Sequence, residues 1–137
     1  MSPLIRATTA VAAAVLATGL TATAASAADT TAPAPTRIGF AGPYQCLSLA
    51  LSAFRSTDDV TPQSQLRYEA YADGVFIGTL VDSGHPAGAW GWLHLLHGGS
   101  SVVTVRVVDA AGNRSASSPG VSVTAYYTPG CAPGRLP

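Results

Sequence analysis

Apolar and polar residues alternate along several short segments of this chain, as they do in strands with one buried face. In the valine-rich segment 102–108, Val103, Val105 and Val107 would share the buried face, and Thr104, Arg106 and Val108 would face out. The same pattern predicts strands over residues 46–53, 66–72, 75–81, 102–108 and 121–124, and residues 92–96 fit a strand or one helical turn. Because no sustained 3.6-residue period follows residue 27, the chain is predicted to be all-β with about seven strands.

Asp73 and Gly74 stand between two of these segments and predict a hairpin. A two-residue type I′ turn requires positive φ at both central residues, which this pair adopts readily. Gly78, in the returning strand, is a candidate for a bulge. The side chains expected in the core across this hairpin are Tyr68, Ala70, Phe76 and Leu80.

The first 27 residues differ from the rest of the chain. They carry one charge, Arg6, before an apolar segment at 10–20, and end in Ala-Ser-Ala. This is the pattern of a secretory signal peptide cleaved after Ala27. The alternative, a membrane anchor, is less favoured because the apolar segment has about half of the ~20 residues that a span needs.

The predicted organisation therefore has four parts. A signal peptide covers residues 1–27, and a flexible or extended leader rich in Ala, Pro and Thr covers 28–36. One domain covers 37–131, a length that suffices for an independent core, and a short tail covers 132–137. We expect a secreted, extracellular monomer that is not attached to a membrane after cleavage.

The chain has two cysteines, Cys46 and Cys131. In an exported protein an even number favours a disulfide, and neither cysteine has a Cys or His neighbour at metal-ligand spacing. The bond would close a loop of about 85 residues, which chain-entropy arithmetic values at about 4–5 kcal/mol. A metal-ligand or catalytic cysteine is the alternative.

The charge composition argues against nucleic acid as a partner. The chain has seven basic residues, all Arg, and seven acidic ones, whereas nucleic-acid binding requires clustered positive charge. The absence of Lys and the abundance of Ala indicate a GC-rich genome, and we therefore expect a bacterial source.

Two segments resemble bacterial fibronectin type III and related immunoglobulin-like domains. Residues 56–78 contain STDD and then LRYEAYADGVFIG, and residues 105–115 read VRVVDAAGNRS. The resemblance implies a two-sheet β-sandwich of about seven strands, with residues 109–113 as a structural turn in which Gly112 or Asn113 has positive φ. Domains of this kind serve as spacer, adhesion or ligand-binding modules.

Aromatic residues are the candidate ligand-binding groups. Trp90 and Trp92, with Tyr71, could form a stacking platform for sugar rings; the alternative is that at least one Trp fills the core.

Metal sites are a second possibility that the sequence leaves open. His94 and His97, with His85 nearby, would converge only on a helical turn, and two histidines three apart on a strand face opposite ways. Asp58 and Asp59, with Asp82 or Asp109, could bind calcium; the alternative is a solvated turn. We therefore expect no metal and no cofactor.

No motif of a nucleophilic, metallohydrolase or redox enzyme occurs, and Glu69 is the only Glu. We expect a non-enzymatic binding or structural module whose partner is an extracellular protein or a polysaccharide. The alternative is an inhibitor of a protease or another hydrolase, with the loop over residues 82–91 as its contact segment.

Overall fold

The computed structural model describes residues 28–82 and 88–126, so the predicted signal peptide and tail lie outside the described residues. Within these described residues, seven strands dominate, and the helical content is limited to two 3₁₀ turns at Gln45–Leu47 and Gln63–Gln65. The strands are β1 (Ile38–Pro43), β2 (Ser48–Ala53), β3 (Arg67–Ala72), β4 (Val75–Asp82), β5 (Ala89–His94), β6 (Gly99–Val108) and β7 (Val121–Ala125). The predicted all-β class is confirmed.

All the strand pairs are antiparallel, and their order across the sheet is β1-β2-β5-β4-β3-β6-β7. The sheet curls until β1 lies beside β7, so it is nearly closed like a barrel. Strand β4 joins the half of the sheet made of β1, β2 and β5 to the half made of β3, β6 and β7. It pairs with β3 along most of its length and with β5 only at Val81 and Asp82. The strands thus form one continuous curled sheet rather than two separate ones.

Alternation of apolar residues builds the core inside this curled sheet. The inner faces of β2, β3 and β6 supply side chains that are almost wholly excluded from solvent, because successive residues of a strand point to opposite faces. The largest of them are Tyr68, Leu49, Leu51, Val103, Val105 and Val107.

The hairpin between β3 and β4 has the predicted turn. Asp73 and Gly74 have φ of 51° and 81°, as a type I′ turn requires. Beyond the turn, Tyr71 pairs with Phe76 and Ala70 with Gly78, so Ile77 is an extra residue in β4. The bulge lies one residue before Gly78, the position that the sequence suggested for it. It places Phe76 on the outer face, so the prediction that Phe76 lies in the core is wrong.

The predicted loop at 82–91 is too long at its C-terminal end. β5 begins at Ala89, and Ala89–His94 pairs with Ser48–Ala53 along its whole length. Gly88 and Gly91 suggest a loop in the sequence, but Gly91 lies within β5 and faces Leu80. Residues 83–87 of that loop lie outside the described residues.

Residues 28–36 have no regular secondary structure but lie against the sheet. The backbone N–H of Ala34 donates to Thr57 O at 2.9 Å. The Thr36 hydroxyl, which is buried, donates to Phe54 O at 2.6 Å. Among the described residues, no helix has the length and hydropathy that crossing a membrane requires.

Candidate functional site

Strand β5 places both tryptophans on the outer surface of the sheet. Ala89 and Leu93 are buried in the core, whereas Trp90 and Trp92 are 47% and 48% exposed. Since the inner face of β5 is complete without them, neither indole contributes to the core. The alternative expectation, that at least one Trp fills the core, is wrong.

The register of the neighbouring strands brings further aromatic side chains to the same surface. In one row, Phe40 of β1 lies opposite Ser52 of β2, which lies opposite Trp90 of β5. In the next row, Gly42 and Ala50 lead to Trp92 in the same way. We call the surface formed by Phe40, Tyr44, Trp90 and Trp92 the aromatic face; Phe40 and Tyr44 are 59% and 58% exposed.

Within this face, the Trp92 ring contacts both the Tyr44 ring and the Trp90 ring at steep angles. The ring centroids of Tyr44 and Trp92 are 5.1 Å apart with an interplanar angle of 62°. Those of Trp90 and Trp92 are 6.3 Å apart at 77°. Edge-to-face contacts of this kind are favourable and hold the rings in fixed orientations. The face therefore presents inclined rings, not one flat platform.

Small residues and a tight turn position these rings. The Phe40 ring lies over Gly42, where a Cβ would collide with it, so the glycine leaves the space that the ring occupies. Tyr44 is fixed by its backbone N–H, which donates to Ser48 O at 2.7 Å. The turn between them has positive φ at Cys46 and Leu47, 60° and 62°. Sequence reasoning missed Phe40 and Tyr44, although Phe40, Gly42 and Tyr44 alternate as strand residues do.

Cys46, in this turn, is not a free thiol. Its predicted partner, Cys131, lies outside the described residues, and the disulfide between them stays a prediction.

Tyr71 does not join the aromatic face. It pairs with Phe76 near the beginning of β4, whereas Trp90 pairs with Val81 near its end, so about 16 Å of strand separates them. The Tyr71 ring instead contacts Phe76, with centroids 5.8 Å apart. A role for Tyr71 in ligand binding stays a prediction, but not as part of the same surface as the tryptophans.

The rows that cross the aromatic face contain no charged residue, and the charges gather elsewhere. On β3, the Glu69 carboxylate accepts a hydrogen bond from Tyr71 Oη at 2.7 Å and lies 3.4 Å from the guanidinium groups of Arg67 and Arg114. Burial tends to raise the pKa of Glu69, but the Tyr71 hydrogen bond and the arginines outweigh it and hold that pKa below its ordinary value.

His94 and His97, the two histidines that the structure describes, belong to no group of metal-ligating side chains. His94 lies on the outer face of β5, and His97 Nε2 is 3.6 Å from Asp73 Oδ2, an ordinary surface contact. His85 lies outside the described residues.

Acidic residues do converge, at the end of the sheet where β6 finishes. Asp58 and Asp109 come together there, joined by Asp29, which the sequence did not single out. Asp59 is exposed, and Asp82 lies 3.4 Å from Arg55.

No protein-family model matches the chain, and no curated protein matches it significantly.

Proposed function

We propose that this chain is an exported, non-enzymatic binding module of the fibronectin type III or immunoglobulin-like kind, and that its aromatic face binds single chains of a neutral polysaccharide. The observation that carries the proposal is the exposure of four aromatic side chains on one face of the sheet. Large apolar side chains grouped at the surface of a small domain indicate an interaction site, because exposing them to water is unfavourable.

The fold does not need these rings, which favours a functional reason for them. Leu49 and Leu51 of β2 and Leu93 of β5 already fill the inner surface beneath the face. The outer positions of β2 in the same rows, Ala50 and Ser52, are small.

The absence of charge across the rows favours a neutral ligand. Protein–protein interfaces are enriched in arginine as well as in tryptophan and tyrosine. Here the nearby Arg37 lies over Phe54 outside these rows, 5.9 Å from that ring. The apolar C–H faces of a pyranose pack against aromatic rings. Its hydroxyls can form hydrogen bonds with Ser52, which lies between Phe40 and Trp90 in one row. Inclined rings match successive sugars that are turned relative to one another, as in a soluble chain, better than a flat crystalline surface.

The arrangement of strands supports the module type. β1, β2 and β5 form a three-strand group, and β4, β3, β6 and β7 form a four-strand group, joined by the short contact of β4 with β5. Seven antiparallel strands wrapped around one core in two such groups fit an immunoglobulin-like module. Gly112, in the DAAGN segment, has φ of 96°, which agrees with the structural turn that the resemblance implies.

The alternative function, inhibition of a hydrolase, depends on a loop whose residues 83–87 lie outside the described residues, and no observation in the described part favours it.

Affinity electrophoresis tests the proposal directly. The purified protein is run in native gels that contain soluble neutral polysaccharides, such as xyloglucan, glucomannan or mixed-linkage β-glucan, and is mixed in parallel with insoluble cellulose and chitin. We expect retardation by at least one soluble polymer and weaker retention on the insoluble ones. Trp90→Ala and Trp92→Ala should each reduce the affinity about tenfold or more, because removing a large apolar side chain from water is worth about 1.5–3 kcal/mol and a factor of ten corresponds to about 1.4 kcal/mol.

Phe76→Ala is the matched control. Phe76 is 52% exposed, a fraction similar to those of the two tryptophans. It contacts Tyr71 and lies away from the aromatic face. This variant should bind as the unaltered chain does. Migration unaffected by every polymer, or equal retardation of the Trp90→Ala and unaltered chains, would contradict the proposal. A dimer that Trp92→Ala dissociates would also contradict it, because the face would then be a contact between copies.

A further inference from the structure

Three carboxylates from distant parts of the chain meet at one end of the sheet. Asp29 belongs to the segment before β1, Asp58 to the loop after β2, and Asp109 follows β6. One carboxylate oxygen from each residue lies within 4.8 Å of those of the other two. No ion pair found within residues 28–82 and 88–126 involves any of the three, so three negative groups converge without a cationic side chain.

Each carboxylate is held in place by one or more hydrogen bonds. Asp58 Oδ2 accepts from the backbone N–H groups of Val60 and Thr61, at 3.2 and 2.7 Å. Asp29 Oδ1 accepts from Thr31 N at 3.0 Å. Asp109, itself buried, accepts from the backbone and the side chain of Asn113 at 2.8 and 2.7 Å.

Two oxygens of the cluster have no such partner among the described residues. Asp29 Oδ2 and Asp58 Oδ1 are shielded from solvent and accept no hydrogen bond from any residue that the structure describes. A buried carboxylate oxygen without a donor is strongly unfavourable, and two beside a third carboxylate add mutual repulsion. A bound cation would remove both costs at once. These orphaned oxygens therefore point to a ligand independently of the acidic cluster.

We propose that Asp29, Asp58 and Asp109 bind a calcium ion, a site separate from the aromatic face. Carboxylate oxygens alone favour a hard cation such as Ca²⁺ or Mg²⁺ over zinc or copper, which prefer nitrogen and sulfur. Oxygens on opposite sides of Ca²⁺ are about 4.6–5.2 Å apart, whereas around Mg²⁺ they are about 4.0–4.2 Å apart. Separations within 4.8 Å let one Ca²⁺ contact all three oxygens. Ca²⁺ also accepts irregular sets of oxygen ligands, whereas Mg²⁺ demands near-ideal octahedral geometry.

The ion would fasten the segment before β1 to two loops of the sheet. Asn113 Nδ2 already donates to Asp29 O at 3.0 Å, and Ala110 N donates to Thr61 Oγ1 at 3.3 Å. Calcium would join the same three segments through their carboxylates. We therefore expect calcium to order residues 28–36 and to raise the thermal stability of the whole domain.

Thermal unfolding and titration calorimetry test this site. The purified protein is freed of metal with a chelator and titrated with CaCl₂ or MgCl₂ up to about 10 mM, since extracellular calcium modules bind with Kd of about 10⁻⁴–10⁻³ M. At saturation, calcium should raise Tm by about 5 °C or more and magnesium by less. Calorimetry should give a stoichiometry of about one ion.

Asp58→Asn and Asp59→Asn form a matched pair. Asn at position 58 keeps an oxygen for Val60 and Thr61 but loses the charge, so its response to calcium should fall at least about tenfold in affinity. Asp59 is exposed outside the cluster, and Asp59→Asn should respond as the unaltered chain does. In chelator, Asp58→Asn should melt no lower than the unaltered chain, because it relieves repulsion between carboxylates.

Three results would overturn the calcium site. The first is an unaltered chain that shows neither calorimetric binding nor a rise in Tm. The second is an equal response of the two variants, and the third is a response to magnesium that exceeds the response to calcium. If Asp58→Asn does not fold, Asp29→Asn applies the same comparison, because Asn can still accept from Thr31.

Discussion

The hydroxyl of Tyr68, at the centre of the core, accepts a hydrogen bond from the backbone N–H of Ser56 at 2.9 Å. Tyr68 is fully buried on β3, and Ser56 lies in the loop that follows β2. Gln63 Nε2 donates to the same hydroxyl at 2.8 Å. One side chain thus fills the core and also fixes the loop that carries Asp58.

Tyr68→Phe should therefore destabilise the domain by about 1–3 kcal/mol, because it leaves the buried Ser56 N–H without an acceptor. Urea unfolding followed by circular dichroism measures the change. Ser100→Ala is the control, since it removes an exposed hydroxyl contact with Thr124 and should change stability by less than about 0.5 kcal/mol. Equal effects of the two substitutions would show that the Tyr68 hydroxyl is not structurally important.

Gly88, just before β5, should tolerate alanine much less well than Gly112. Both have positive φ, 102° and 96°, which costs an L-residue about 1–2 kcal/mol. A Cβ at Gly88 would also collide with the backbone at Ala53 and Arg55, whereas at Gly112 it would meet nothing within 4 Å. We expect Gly88→Ala to cost about 2–5 kcal/mol and Gly112→Ala about 1–2 kcal/mol, measured by urea unfolding. The reverse order would contradict the close approach of β5 to β2.

Glu69 should make the domain less stable in acid. Because its folded-state pKa is lowered, its contribution is present above the pKa of the unfolded chain and is lost as pH falls through the folded value. The stability difference between the unaltered chain and Glu69→Gln should therefore be larger at pH 6 than at pH 3. The other carboxylates titrate in both proteins and cancel in this difference. A difference that does not change between these pH values would show that Glu69 is not held ionised by Tyr71 and the arginines.

Local alternation was sufficient to predict most of the core. Val103, Val105 and Val107 are buried as expected, as are Tyr68 and Ala70, because residues two apart in a strand share a face. The prediction for Val108 is wrong: it is buried although it follows Val107, and the chain returns beside it, where Arg114 forms a bridge with Val108. The error at Phe76 has a similar origin, since one extra residue in β4 reverses the faces on either side of it.

The candidate sites were less predictable because they depend on pairing between distant segments. Phe40 reaches Trp90 only through β2, and this register is not encoded in any short segment. Asp29 and Asp109 lie close together in space although most of the sequence of the domain separates them. The sequence did identify both tryptophans and two of the three carboxylates by residue type, which is the information that local chemistry contains.

Tryptophan fluorescence tests the central claim most directly, because Trp90 and Trp92 are the only tryptophans in the chain and both lie on the aromatic face. In the free protein, acrylamide should quench the emission readily, as expected of indoles that are half exposed. A polysaccharide that retards the protein in native gels should shift the emission to shorter wavelength and protect both residues from the quencher. Emission at the wavelength of buried indole that acrylamide does not quench, or quenching that the retarding polysaccharide leaves unchanged, would contradict the account.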